Sequence, residues 1–193
     1  MLPTWVVEAV SVAPRGAAPS YAQGYYDRDN AAYKAWDAVG LVCGDPEQPE
    51  RRIHLAVDPV EVTVDEALDA GADLLVTHHP LLLHPVSSVA ADTAAGRLVH
   101  RLIRGGCGLL AVHTNGDVAH DGVSDALAAA IGVTGTAPLV PAAADPSTGL
   151  GRVGALAEGL PLAVFAEFVR DGLPATAHGV RVAGARDRVV RRV

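Results

Sequence analysis

The chain is poor in cysteine, in lysine and in long apolar runs. Its 193 residues hold two cysteines, Cys43 and Cys107, and a single lysine, Lys34, against fourteen arginines. Two cysteines without a Cys-x-x-Cys spacing make no disulfide framework, so a reducing compartment, the cytoplasm, is the default expectation. The scarcity of lysine reads as genome composition, not function. No apolar run approaches the ~18 residues that suggest a membrane-spanning helix. Trp5 to Ala13 is apolar but short, is interrupted by Glu8 and is preceded by no basic residue, so a signal peptide is not expected. Gly-x-Ser-x-Gly, P-loop and dinucleotide glycine motifs are all missing, which removes the simplest routes to serine hydrolysis and to phosphate or dinucleotide binding. The net charge of −7 argues against nonspecific nucleic-acid or acidic-membrane binding, while leaving a local basic pocket for a phosphate open.

What is present is enough apolar sequence for a packed core: 50% of residues are hydrophobic and 19% charged. Residues 1–35 give no clear period, because Pro14, Gly16, Pro19 and Gly24 interrupt it, and they read as an atypical N-terminal segment. From Trp36 the pattern sharpens. Trp36 to Pro46 reads as a short apolar strand ending in a Gly-Asp-Pro turn, and Ile53 to Val57 is a strand ending at Asp58. Thr63-Val64-Asp65-Glu66 predicts a capping box with Thr63 as N-cap, opening a helix that Gly71 closes. Asp73 to Thr77 is the next strand. Asp92 or Thr93 caps a second helix with Leu98, Val99, Leu102 and Ile103 inward, Cys107 to Val112 is a third strand, and a third helix covers about Val123 to Ile131. Strand–helix alternation of this kind predicts an α/β fold, with a parallel or mixed sheet and helices on both faces.

Residues 36–140 are therefore assigned to one α/β domain. Residues 134–150, rich in Ala, Pro, Thr and Gly, read as a linker, and 150–193 as the start of a second, related α/β domain that is incomplete here. That second piece holds a strand near Arg152 to Leu156, a helix opening at Pro161 with Leu162, Phe165, Phe168, Val169 and Leu173 as its stripe, and a strand over Gly179 to Gly184. An internal echo supports the relation: Gly40-Leu41-Val42-Cys43-Gly44 and Gly179 to Gly184 are each followed, at equal spacing, by a double arginine and an aliphatic residue. On this reading Val193 stands where a core strand should begin.

Histidines concentrate where strands end. Leu74-Leu75-Val76-Thr77 runs into His78-His79-Pro80, and Leu109-Leu110-Ala111-Val112 runs into His113-Thr114-Asn115-Gly116-Asp117. In open parallel sheets ligand sites lie at the carboxyl ends of the strands. Neighbouring side chains on a strand point to opposite faces, so His78 and His79 converge only if the backbone turns at Pro80, or else they serve two metals. Both are candidate metal ligands. Asp117 is a third, since a carboxylate can bridge two cations while imidazoles complete each sphere. His113 is a candidate ligand, a ligand's supporting partner or a proton carrier, and Asp58 is a weaker candidate. His54 and His100 read as structural and surface residues, His84 and His120 as loop residues. Cys43 and Cys107 read as buried packing.

Trp36-Asp37-Ala38-Val39-Gly40-Leu41, the Thr77-His78-His79-Pro80 stretch and His113-Thr114-Asn115-Gly116-Asp117 resemble, in order and spacing, the GTP cyclohydrolase I type 2 homologue family, the Nif-three-like dinuclear-metal proteins. Gly122 and Asp125 before Leu127 resemble it too, and the likeness runs from about Trp36 to the end. It implies two related α/β domains, a toroidal homohexamer and two divalent metal ions, Zn, Mn or Fe. Carried over by position, His78, His79 and Asp117 match metal ligands and His113 matches an active-site position. The family adds a His-x-x-x-Glu pair near its C-terminus, which this sequence does not contain, and on that ground the chain reads as C-terminally truncated.

The function implied is a cytoplasmic metal-dependent hydrolase that activates water at a dinuclear site, with a small molecule, a purine nucleotide among the candidates, as substrate. No membrane partner and no strong nucleic-acid signal are expected. The alternatives are a non-catalytic metal-binding regulatory or assembly protein, and an inactive truncated family member.

Overall fold

The computed structural model describes residues 37–143 and 145–193. The N-terminal segment 1–35 lies outside them. The chain divides into two compact units, Met1–Gly116 and Asp117–Val193, whereas the sequence reading set its boundary between 140 and 150. The first unit holds strands β1 (Gly40–Cys43), β2 (Ile53–Ala56), β3 (Leu74–Thr77) and β4 (Gly108–Ala111), with helices α1 (Glu61–Asp69) and α2 (Ala94–Arg104). A short helix, α3 (Thr114–Val118), carries the chain across the division.

Among the described residues the first unit's sheet has the order β1-β4-β3-β2. β2, β3 and β4 are parallel, and β1 is antiparallel to β4, so the sheet is mixed. The two crossovers, β2-α1-β3 and β3-α2-β4, step across the sheet in the same direction. Crossovers of one hand and one direction put their helices on the same face. The core agrees: Val64 and Ala67 from α1 and Leu98, Val99 and Leu102 from α2 pack with Leu75, Leu109 and Cys43, which are neighbours across the sheet. Leu75, Leu102 and Leu109 are fully buried, each contributing roughly 2 kcal/mol of apolar transfer. Ile103, expected inward, is 56% exposed. The inward stripe is narrower than the sequence suggests because Leu98, Val99 and Leu102 already fill the sheet-facing side.

Two helix starts show how local chemistry positions the strand ends. Thr63 is not the N-cap of α1. The helix begins at Glu61 after Val60, with Thr63 in its third position. The Thr63 hydroxyl accepts from the Val60 N–H (3.0 Å) and donates to the Asp58 carbonyl (2.7 Å), so the turn set by Asp58-Pro59 starts the helix earlier than the capping-box pattern indicates. Thr93 does cap α2, accepting from Gly96 N–H at 3.0 Å. Gly96 lets the loop that follows the histidines lie on α2, since a Cβ there would come within 1.9 Å of the Ala90 carbonyl oxygen.

The second unit differs more from its reading. It contains α4 (Val123–Ala130), β5 (Thr134–Pro141), β6 (Gly149–Pro161), α5 (Leu162–Gly172) and β7 (Val189–Arg192), with a sheet ordered β5-β6-β7 and antiparallel throughout. The stretch read as a linker is largely a strand. Pro138 and Pro141 belong to an edge strand, where a missing N–H costs no ladder bond on the open side. Residues 179–184, read as a strand, form none, and the echo of Gly40 to Gly44 does not extend to structure there. Phe165 of α5 is buried, but Phe168 is 48% exposed. No helix among the described residues is long and apolar enough to cross a membrane.

One side chain ties the second unit together. Arg152, 5% exposed, places its guanidinium on the Asp125 carboxylate (2.5 and 2.7 Å), on the Gly149 and Gly151 carbonyls (both 2.8 Å) and on the Ala119 carbonyl (3.2 Å). All five guanidinium N–H donors have an acceptor. Arg152→Ala strands those acceptors and is expected to cost about 3 kcal/mol, measured by chemical denaturation. A loss under 1 kcal/mol would mean that water replaces the guanidinium easily.

In the first unit, Asp73 accepts from the Arg51 and Arg52 N–H groups (2.8 and 2.9 Å) just ahead of β2. Those two backbone donors, and then the charges of Arg51 and Arg52, hold its carboxyl below the usual value of 3.8. A lowered folded value means that the stabilisation is complete above the unfolded pKa and fades as pH falls through the folded one. The stability gap between wild type and Asp73→Ala, about 1 kcal/mol after discounting for solvent, is therefore expected to be flat from pH 5 to 7 and to close in more acid buffers. A gap that widens with acid would overturn this.

Candidate metal centre

His78 and His79 follow the last residue of β3 directly. In a regular strand only alternate N–H groups face the same neighbour. Here consecutive amides do: His78 N–H donates to the Ala56 carbonyl (3.2 Å) and His79 N–H to the Val57 carbonyl (2.8 Å). The backbone therefore rotates between the two histidines. The Thr77 hydroxyl, donating to the His79 carbonyl at 2.9 Å, holds the turn. Both rings come to one side, with centroids 5.1 Å apart. β4 delivers the third. Val112 N–H donates to the Thr77 carbonyl (2.7 Å), extending the parallel ladder by one residue, and His113 follows. Its ring centroid is 5.3 Å from that of His78 and 6.0 Å from that of His79.

Each ring is fixed through Nδ1. His78 Nδ1 lies 3.1 Å from the Val112 carbonyl oxygen, His79 Nδ1 2.7 Å from Asp58 Oδ1, and His113 Nδ1 2.6 Å from Asp37 Oδ1. A carbonyl or a carboxylate oxygen only accepts, so in each pair the Nδ1–H donates. A neutral imidazole that donates from Nδ1 keeps an unshared pair on Nε2. One nitrogen from each of the three rings lies within 4.8 Å of the other two. This is the donor set and the support that histidine metal sites use. Two donors on one ion at ~2.1 Å are at most about 4.2 Å apart, so modest closure of the rings brings all three onto a single ion.

Asp37 is the residue that the sequence reading passed over. It stood in the Trp-Asp-Ala-Val-Gly stretch without a role. Its side chain is 2% exposed. Burial alone would push its carboxyl up, but hydrogen bonds from His113, Thr114 and the Ala38 N–H (2.8 Å) outweigh that and hold it below the ordinary carboxylate value. No local sequence signal could have paired it with His113, which lies 76 positions away. Asp58 also changes meaning: it backs His79.

Asp117, in the first turn of α3 and the first residue of the second unit, is not a member of the three-imidazole donor group found among the described residues. His54 lies 3.8 Å from Glu66, His120 Nε2 is 3.0 Å from the Ser147 hydroxyl, and His84 and His100 are exposed. Cys43 and Cys107 are free and buried. Burial pushes both thiols up, that of Cys107 to about 11, which leaves them unreactive near neutrality.

Comparison with known proteins identifies related chains. The family model described as Duf34/NIF3 (NGG1p interacting factor 3) matches residues 21–193. A Streptomyces coelicolor protein named GTP cyclohydrolase 1 type 2 homolog is 51% identical over 162 residues, covering 83% of this chain and 57% of its own length. A Mycobacterium leprae protein of the same name is 55% identical over 108 residues, covering 56% of this chain and 28% of its own. This chain thus spans little more than half the length of the first relative and less of the second. A Bacillus cereus protein related to NIF3 superposes with a TM-score of 0.71 at 24% identity, covering 81% of this chain and 69% of that one, a likeness of fold.

Asp58→Ala removes the brace from the His79 ring and leaves the ring itself. Zn²⁺ binding to the imidazole group, followed by titration calorimetry, is expected to weaken roughly tenfold. Unchanged affinity would show that the ring needs no support.

Proposed function

The chain belongs to the Duf34/NIF3 (NGG1p interacting factor 3) family, and from that premise we propose that it supplies the imidazole face of a dinuclear divalent-metal site serving a hydrolase. The observation that carries the reading is the convergence of three rings whose Nδ1–H groups are all committed, so that three Nε2 lone pairs remain for a cation. His78 and His79 are ligands on this reading, with Asp117 as a carboxylate ligand. His113, whose sequence reading leaves ligand, supporting partner and proton carrier open, stands within the donor group, which favours the ligand's role. Imidazole with carboxylate suits Zn, Fe or Mn. Two such ions, when bound, supply Lewis acidity that lowers the pKa of a coordinated water to about 7.

The protein's part is to hold the rings and their tautomers, which Val112, Asp58 and Asp37 do. The relatives' shared name makes a purine nucleotide the substrate to try first. A homohexamer and a cytoplasmic setting complete the proposal, the latter in keeping with the two free cysteines. A non-catalytic, regulatory metal-binding role is the second reading, favoured by a donor group that is imidazole-only among the described residues.

Metal analysis of the purified chain tests the site. Divalent metal at or above one equivalent is expected, falling by at least tenfold in His78→Ala. No bound metal in either protein would sink the proposal. Incubation of the metal-loaded chain with GTP, followed by chromatography, separates the readings: loss of GTP supports the hydrolase, and full recovery with metal bound leaves the regulatory role.

A further inference from the structure

The three imidazoles are not equally supported. His78 leans on a neutral carbonyl. His79 leans on Asp58, whose side chain is 57% exposed and therefore screened by water. His113 leans on Asp37, whose side chain is 2% exposed. A carboxylate so buried is costly unless its oxygens are satisfied. Asp37 meets that demand with three donors, its neighbour's Ala38 N–H, His113 Nδ1–H and the Thr114 hydroxyl. Two of the three come from His113, just ahead of α3, and from Thr114, its first residue. The charge is thus spent on the residue that carries the third ring and on the one after it.

We infer that Asp37 is a positioning residue for the metal centre: its buried carboxylate fixes His113 in the Nδ1–H tautomer and orients the ring so that Nε2 is presented to a cation. The inference rests on the metal-site reading for its consequence, and on the Asp37–His113–Thr114 geometry alone for the tautomer. A histidine without such an acceptor favours the Nε2–H form, which offers a proton where a ligand's lone pair is needed. Val112 and Asp58 give the other two rings the same sense of donation, but only at His113 is the acceptor both charged and shielded. Asp37 would then contribute the most of the three supports.

Long-range proton–nitrogen correlation NMR on the metal-free chain, above the pH at which the histidines titrate, reads the tautomer directly. The His113 signals are assigned by their loss in His113→Gln. Wild type is expected to show Nδ1–H at His113. Asp37→Ala is expected to convert it largely to Nε2–H and to weaken Zn²⁺ binding by about 10- to 100-fold. Asp37→Asn keeps an acceptor oxygen without the charge. It is expected to retain the Nδ1–H tautomer and to recover part of the affinity, and it serves also if the alanine variant folds poorly. An Nε2–H tautomer in wild type overturns the inference. So does an Asp37→Ala protein of reduced stability with unchanged tautomer and unchanged Zn²⁺ affinity, which would make Asp37 a purely structural contact. If wild type binds no Zn²⁺ yet the tautomer shifts as expected, the metal reading fails while the Asp37–His113 coupling stands.

Discussion

The parallel pairing of β3 with β4 is the constraint on which the site depends. Its register sets Thr77 opposite Ala111, so the residues just past each strand arrive at the same edge of the sheet. One further rung, from Val112 N–H to the Thr77 carbonyl, carries the ladder to the brink of both histidine segments, and the Val112 carbonyl then receives His78 Nδ1–H. A single residue thus closes the sheet with its amide and braces the first ring with its carbonyl. A slip of one residue would turn every β4 side chain to the other face. Leu109 would leave the core it shares with Leu75, and His113 would leave the other rings. Core packing and site geometry are specified by the same hydrogen bonds, so the stability of one protects the other.

That coupling explains why strand ends were the most legible part of the sequence. A run such as Leu74 to Thr77 has no solvated face to alternate with, and it ends where polar residues begin, so Leu-Leu-Val-Thr-His-His-Pro marks both a buried strand and its exit. The two crossover helices could be read for the same reason, their apolar positions recurring at helical spacing. Where the reading failed, a tertiary contact competed with a local signal. Thr63 has the sequence neighbours of an N-cap but serves as the third residue of a helix that the Asp58-Pro59 turn starts earlier. The prolines of 134–141 look like linker only until the strand is known to lie at an edge.

The supports of the rings were illegible on physical grounds. A ligand must sit at a strand end, and local pattern reports strand ends. A carboxylate that braces a ligand needs only to reach it, from anywhere in the chain. Asp37 enters ahead of β1, on the far side of β4 from β3 and 76 residues before His113. Asp58 is visible as a strand-end aspartate, and that position suggested a ligand and not a ligand's partner. The same blindness covers Arg152, an arginine inside a strand whose five contacts converge from three separate stretches of the second unit.

The chemistry of the three-ring group follows from this division between donors and supports. On the proposed reading, three neutral imidazoles would leave the charge of a divalent ion uncompensated among the rings themselves. Asp37 and Asp58 place negative charge one ring farther away, where it makes Nε2 a better donor through the Nδ1–H bond without occupying a coordination position. Because Asp37 is shielded and Asp58 is not, the two supports are unequal. The ring whose support the sequence concealed is thus the one held against the more shielded charge, Asp37 being 2% exposed and Asp58 57%.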